Sequence, residues 1–457
     1  MVTTFSRPIA IIGLAALLSS PPGASDAWIE KYRQSASRII EAATHNDDAW
    51  RRLALMTDTF GHRLSGSPEL EATLRWASTE MSKDFDAVHL DPVMVPRWVR
   101  GTESLAIVEP RPHAVVMLGL GGSVGTPPDG IQAELLVVRS FADFEAKSAR
   151  ARGRIVLFNA PYTTYAETVA YRSNAASRAA VHGAVAALVR AVGPPGLRTP
   201  HTGALYYTPG TRAIPAAAVA TEDADRLQRV HDRGERIVLR LRMEATTLPD
   251  AQSANLVADY RGRERPEEIV AIGCHIDSWD VGTGATDDGG ACVVMWEAVR
   301  VLKRLNLRPR RTIRVVFWTN EENGLRGAVA YRDKYLKELP NHVMMLESDT
   351  GVFRPVGFGF SGLDRGRAIV TEIASLLTGI GASRISPNGG GADIGPSVDT
   401  ANIPAMSLEV DGSKYFLIHH TPADTVDKIE PTEIAQCVAA VAVMAYVVAD
   451  MPQRLDR

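Results

Sequence analysis

The sequence predicts an α/β fold: a mostly parallel mixed sheet flanked by helices, with a β-rich unit inserted into the chain. Three observations predict it. From about Asn255 onward, strand-like runs alternate with helical stretches. Between about Val93 and Met243 the texture changes to short β-branched runs cut by Gly and Pro. From Trp28 to Lys83, apolar residues recur at helical spacing.

In the C-terminal part, EIVAIGCHID is followed by a predicted helix near 289–305, and TIRVVFWTNEE by one near 327–339. HVMMLESD precedes a helix near 364–377 and a Gly-rich loop, SPNGGGADIGP. IPAMSLEV leads to HHTPADT and a long helix over about 431–449. Such alternation implies a parallel sheet covered on both faces. The middle part carries runs such as AELLVVRS and RIVLFNAP, punctuated by VGTPPDG, VGPPGL and YYTPGT. It reads as strands and turns. Its histidines, His113, His182, His201 and His231, are scattered and read as ordinary surface or core residues. In the first part, TFGHRLSGSPE interrupts the helical pattern, and Ser67-Pro68 opens a new helix with Pro in its first turn. The expected division is 1–27, 28–95, 96–248 and 249–457, where 28–95 and 249–457 form one domain and 96–248 is the insert.

Length and composition agree with this division. The 457 residues exceed the roughly 100–200 that one core needs. With 45% hydrophobic and 23% charged residues the chain reads as globular, and a net charge of −3 gives no electrostatic case for nucleic acid or an anionic membrane surface. At the N-terminus, Arg7 precedes the apolar run IAIIGLAALL and the small-residue stretch SSPPGASDA. This is the pattern of a secretory leader, so a secreted or periplasmic destination is expected. No later run approaches about 18 consecutive apolar residues, so no membrane span is expected. The three cysteines, Cys274, Cys292 and Cys437, lie in apolar stretches and read as small buried hydrophobes, although a disulfide between two of them stays open.

The chemistry-bearing residues gather at predicted strand ends. His275 and Asp277 close the first strand. Asp287 and Asp288 sit in the turn GTGATDDGGA. Glu321 and Glu322 close the next strand, Asp349 the one after, and His420 lies in a late loop. In open α/β sheets, ligands bind at the carboxyl ends of the strands. So many carboxylates in one crevice cannot all ionise without cations. Two imidazoles with several carboxylates suit zinc, and two ions better than one.

The motifs GCHIDSWDVGTGATDDGG, FWTNEENGLRGA, MMLESDTG and FLIHHTPADT resemble those of the co-catalytic dinuclear zinc aminopeptidases and carboxypeptidases. GLGGSVGTPPDGI, TPHTGALYY, RPRRTIRVVFWTNEE and AYVVADM extend the resemblance over nearly the whole mature chain. The resemblance implies the zinc exopeptidase fold with an inserted protease-associated domain, and two Zn2+ per chain. It implies that His275 and Asp349 bind one zinc, Glu322 and His420 the other, and that Asp287 bridges them. Glu321 would be the general base. Asp277 would hydrogen-bond the His275 imidazole and fix its tautomer. The peptide bond between Asp287 and Asp288 would be cis. His419 stands where some relatives carry an oxyanion-supporting Tyr, so it is a candidate substrate contact or a packing residue. Asp393 either lines the substrate pocket or caps its own loop. Asp424 is a candidate neighbour of the site. The implied substrate is a dipeptide or other short peptide, and a homodimer is implied as the assembly. The competing readings are an aminopeptidase acting on longer peptides, a one-zinc glutaminyl cyclase, and a non-catalytic receptor-like binding protein on the same fold.

Overall fold

The protein is described here by a computed structural model covering residues 26–455. The leader-like stretch 1–27 lies outside the described residues except for its last two positions, which open the first helix.

The main sheet has eight strands: β1 (Ala87–Val99), β2 (Thr246–Tyr260), β3 (Arg265–His275), β4 (Arg311–Trp318), β5 (His342–Glu347), β6 (Pro355–Ser361), β7 (Arg384–Pro387) and β8 (Ala405–Val410). Their spatial order is β1-β2-β4-β3-β5-β8-β6-β7. The central strands β4, β3, β5 and β8 are parallel, β1 and β2 pair antiparallel with their neighbours, and β6 is antiparallel to β8 but parallel to β7. Strands buried on both faces become continuous apolar runs, and β4 and β5 are buried along their whole length. The pleat sends alternate residues to opposite cores. Val270, Ile272 and Cys274 face one, Ile269 and Ala271 the other.

Helices Asp26–Thr44, Asp48–Phe60 and Pro68–Met81 form the predicted N-terminal part. Ser67 caps the third by accepting the Leu70 N–H at 3.2 Å. The helix Pro431–Asp450 is long and apolar enough to cross a bilayer by length and composition alone. Here its residues from Ile434 to Ala449 are mostly buried, and it packs against Asp26–Thr44 and Gly290–Arg304. Strands β6 and β7 escaped the sequence reading, because their Gly-containing and short runs carry little β-branched signal.

The inserted unit has its own eight-stranded sheet, built from strands between Glu103 and Met243. The expected boundaries at 95/96 and 248/249 fall inside a paired ladder, since Arg97 pairs with Leu248 and Val99 with Thr246. The unit is also less purely β than its texture suggests. It contains the helices Phe141–Lys147, Tyr165–Val181 and Thr221–Asp232. The helix Tyr165–Val181 is rich in Ala and weakly patterned, which hides it among the Gly and Pro punctuation.

The cysteine expectation needs correction. Cys274 and Cys292 form a disulfide, with Cα atoms 5.4 Å apart, and only Cys437 remains a free buried thiol. The pair joins the end of β3 to the helix Gly290–Arg304 and links two cysteines 18 residues apart in sequence.

Candidate metal centre and catalytic cleft

Two loops at the carboxyl edge of the parallel strands build the centre. The first runs from the end of β3 to the helix Gly290–Arg304. Arg63, fully buried, shapes it from the N-terminal part. Its guanidinium donates to the carbonyls of Ile276 (2.7 Å), Thr283 (2.7 Å) and Gly284 (2.8 Å). Gly284 has φ +57, and a Cβ there would lie 2.3 Å from the Ser278 Cβ, so the turn requires glycine. The peptide bond between Asp287 and Asp288 is cis. The second loop, 419–425, reaches back to the first. Asp424 accepts the N–H groups of Thr286 at 2.6 Å and Asp287 at 3.1 Å, so it fixes the backbone that carries Asp287.

The Asp287 carboxylate lies between two imidazoles. His275 Nε2 is 3.2 Å from its Oδ1, and His420 Nε2 is 3.1 Å from its Oδ2. Each imidazole meets one further carboxylate: Asp349 Oδ1 at 3.3 Å from His275, and Glu322 Oε2 at 3.0 Å from His420. Each also turns Nδ1 toward a main-chain carbonyl, Asp277 O at 2.9 Å for His275 and Thr202 O at 3.3 Å for His420. A carbonyl can only accept, so the His275 Nδ1 carries a proton and its Nε2 is the nitrogen turned toward Asp287; the His420 Nδ1 lies between the Thr202 carbonyl and an Arg172 N–H at 3.4 Å. The result is two half-sites that share one carboxylate. His275, Asp287 and Asp349 form one compact donor group, and Asp287 with His419 and His420 another.

The electrostatics fit missing positive charge. Burial and the Asp287 charge push Glu322 up to about 7. Burial, with Asp349 and Glu322 close by, holds Glu321 well above the carboxylate range. Asp288 is pushed the same way by burial and by Asp349 and Asp287, and neither of its oxygens has a hydrogen-bond partner. Burial would lower His275 and His420, but the carboxylates outweigh it and hold both imidazoles well above their ordinary value. A cation between the Nε2 atoms and the carboxylates removes these costs together.

A cavity of about 310 Å³ opens over the centre. Glu321, Asp349 and His419 line it from the main domain, and Tyr165, Arg172 and Tyr206 from the insert.

A family model for peptidase family M28 matches residues 255–445. Carboxypeptidase Q from Xenopus laevis is 43% identical over 433 residues, covering 94% of this chain and 92% of its own length. Carboxypeptidase Q from Homo sapiens is 43% identical over 426 residues, covering 92% and 90%. The chain belongs to peptidase family M28. A crystal structure of a peptidase M28 precursor from Shewanella amazonensis superposes with a TM-score of 0.89 at 32% identity, covering 94% of this chain and 99% of that one. A zinc aminopeptidase from Bacillus subtilis shares the fold, with a TM-score of 0.67 at 21% identity, covering 90% and 97%. This M28 member is a metallo-exopeptidase.

The structure gathers His275, Asp287, Glu321, Glu322, Asp349 and His420 at one edge. Two details differ from the sequence reading, at Asp277 and Asp393, while His419 both lines the cavity and packs on its neighbour. The His275 imidazole is bonded by the main-chain carbonyl of Asp277, while the Asp277 carboxylate lies 3.9 Å away. That carboxylate instead accepts the N–H groups of Glu321 (3.1 Å) and Glu322 (3.3 Å) and the Ser65 hydroxyl (3.1 Å). Asp277 therefore orients the two glutamates. Asp393 does not line the cavity. It is buried beside Glu347, whose carboxylate accepts the Ile394 N–H at 2.8 Å. His419 stacks on His420 with ring centres 3.5 Å apart, and its Nε2 lies 3.6 Å from Asp287 Oδ2, farther than that of His420. Burial and His420 depress its pKa, so it is neutral. Sequence reasoning missed Arg63, Arg172 and Thr202. Arg63 and Thr202 act on or through main-chain atoms, which leave no motif.

Proposed function

We propose that this M28 peptidase is a dinuclear zinc exopeptidase that cleaves dipeptides or other short peptides, with Glu321 as general base. The observation that carries the reading is the Asp287 carboxylate, with an imidazole Nε2 at each oxygen. His275 and Asp349 would hold one zinc, Glu322 and His420 the other, and Asp287 would bridge. Nitrogen and carboxylate donors of this kind suit zinc. Bound zinc supplies Lewis acidity, which polarises a carbonyl and lowers the pKa of water.

The chain's own residues do the rest. Glu321 faces the cavity, whereas the Glu322 carboxylate lies 3.0 Å from His420 Nε2. It takes the proton of the attacking water and delivers it to the leaving amine. Asp277 holds the backbone of both glutamates, an arrangement in which Glu322 would hold the metal and Glu321 would stay free as base. The wall formed by Tyr165, Arg172 and Tyr206 bounds the cleft. A volume of about 310 Å³ is at the small end for ligand sites, which supports short substrates. In this reading the inserted unit is a protease-associated domain, residues 1–27 are a secretory leader, and the protein works in the periplasm or outside the cell as a homodimer.

A dipeptide panel with the zinc-loaded protein tests the reading, alongside C-terminally amidated analogues. Free dipeptides are expected to be cleaved and amidated ones to resist. Equal cleavage of both, or preference for longer peptides, would favour a general aminopeptidase instead. A protein inert to the whole panel would sink the enzymatic assignment.

A further inference from the structure

We infer that the inserted unit completes one half of the metal centre: residues 201–204 set the position of His420, so that half-site depends on the insert while the His275 half-site does not. The inference rests on the two-metal reading above.

The asymmetry lies in the partners of the two imidazoles. The carbonyl that orients His275 belongs to Asp277, two residues away in the same loop. The preceding carbonyl, Ile276 O, is held by Arg63 at 2.7 Å. All of this is internal to the peptidase domain. The carbonyl that orients His420 belongs to Thr202, 218 residues away in the insert. Two more bonds join the same segments. The Thr202 N–H donates to His420 O at 2.9 Å. His201 Nδ1 donates to His419 O at 2.7 Å. His420 has φ +60, a left-handed conformation that costs a non-glycine residue energy unless its surroundings impose it. The insert supplies that constraint by engaging the carbonyls on both sides of the turn.

The segment 201–204 is itself stiff. Arg172 donates to Ala204 O at 3.3 Å and Thr202 O at 3.4 Å. The Thr202 hydroxyl donates to Gly119 O at 2.7 Å, and the Gly121 N–H to Gly203 O at 3.0 Å. Gly203 has φ +134, and a Cβ there would meet the Arg172 guanidinium at 2.4 Å. His201 packs so closely on Gly193 that a Cβ at 193 would fall 2.3 Å from its ring. The Arg172 guanidinium also lies 3.4 Å from His420 Nδ1, a further contact from the insert to that ring. An imidazole restrained in this way is held in place for a metal. His201 and Arg172 are thus positioning residues: they touch neither the reacting atoms nor the metal donors on Asp287, but they fix one ligand.

Zinc titration of the full-length protein against a competing chromophoric chelator tests this, because it resolves two dissociation constants. The variants are His201→Ala, His201→Asn, which keeps an N–H donor near the Nδ1 position, and Arg172→Lys. In His201→Ala and Arg172→Lys, one zinc is expected to weaken about 10–100-fold while the other stays within about twofold of wild type. His201→Asn is expected to restore the weakened site. Equal weakening of both sites would mean a general structural effect and overturn the inference, as would two unchanged affinities. If His201→Ala fails to fold, Arg172→Lys decides by the same criterion. A wild-type protein that binds a single equivalent would instead overturn the two-metal reading itself.

Discussion

The two eight-stranded sheets are similar in build and opposite in charge economy. Both carry buried parallel strands, and both place polar residues where those strands end. In the insert, the strand ends compensate themselves. Arg190 donates to Asp225, to Asn159 Oδ1 at 3.1 Å and to the Thr221 carbonyl at 3.4 Å. In the main sheet the same positions hold His275, Asp277, Glu321, Glu322, Glu347 and Asp349, with the two aspartates of the following turn. Arg63 spends its guanidinium N–H groups on main-chain carbonyls and neutralises no carboxylate by direct contact. Asp287 Oδ2 and both Asp288 oxygens are left without hydrogen-bond donors. A strand-end cluster is therefore not in itself a metal centre; an uncompensated surplus of buried carboxylate is what requires one.

This contrast can be broken in four places. Asp287→Ala removes the carboxylate common to both half-sites. Zinc content should fall in both, and turnover should drop by at least about 10⁴-fold, toward background. Glu321→Gln should leave both metals bound, by elemental analysis, while kcat falls about 10²–10⁴-fold. Retained turnover would sink its role as base.

The third test is the pH dependence of the metal-stripped protein. Glu322 and Glu347 are both pushed up to about 7 from an ordinary value of 4.5, chiefly by burial. A carboxyl raised on folding stabilises the fold below its unfolded pKa, and that contribution is lost as pH rises through the folded value. The unfolding temperature of the stripped protein should therefore fall between about pH 4.5 and 7, and zinc should recover more of it at pH 7 than at pH 5. A stripped protein that gains stability over this window would contradict the charge surplus.

The smallest effect is expected in the insert. Asp225→Asn breaks a partly exposed pair and should cost no more than about 1 kcal/mol by denaturant titration, with zinc stoichiometry unchanged. A loss of zinc there would erase the distinction between the two sheets.

The contrast also explains what the sequence made legible. The surplus carboxylates are side chains at strand ends, and the alternation of apolar runs located those ends. His275, Asp287, Glu321, Glu322, Asp349 and His420 could be found that way. Asp277 was found but misread, because its carbonyl and its carboxylate do different jobs and only one of them is written in the residue type. Asp393 shared a Gly-rich loop with no periodicity, so its burial against Glu347 had no linear signature. Thr202 acts through its backbone, and His201 looked like any core histidine. The Cys274–Cys292 pair depends on a strand and a helix meeting in space. Among the fold elements, strong period and clean caps were readable, as at Ser67. The Ala-rich helix in the insert was not.

The helix Pro431–Asp450 has a consequence for how the molecule comes into being. It is the partner of Asp26–Thr44: Tyr32 donates its hydroxyl to Asp450 at 3.1 Å and sets its ring against Tyr446 at 6.2 Å. A ribosome that has produced the first of these helices must add nearly four hundred further residues before the second exists. Until then the early helix lacks its main partner, and the sheet lacks one of its covering layers. Contacts so remote in sequence form late and slowly. The peptidase core therefore closes only once the last long helix arrives.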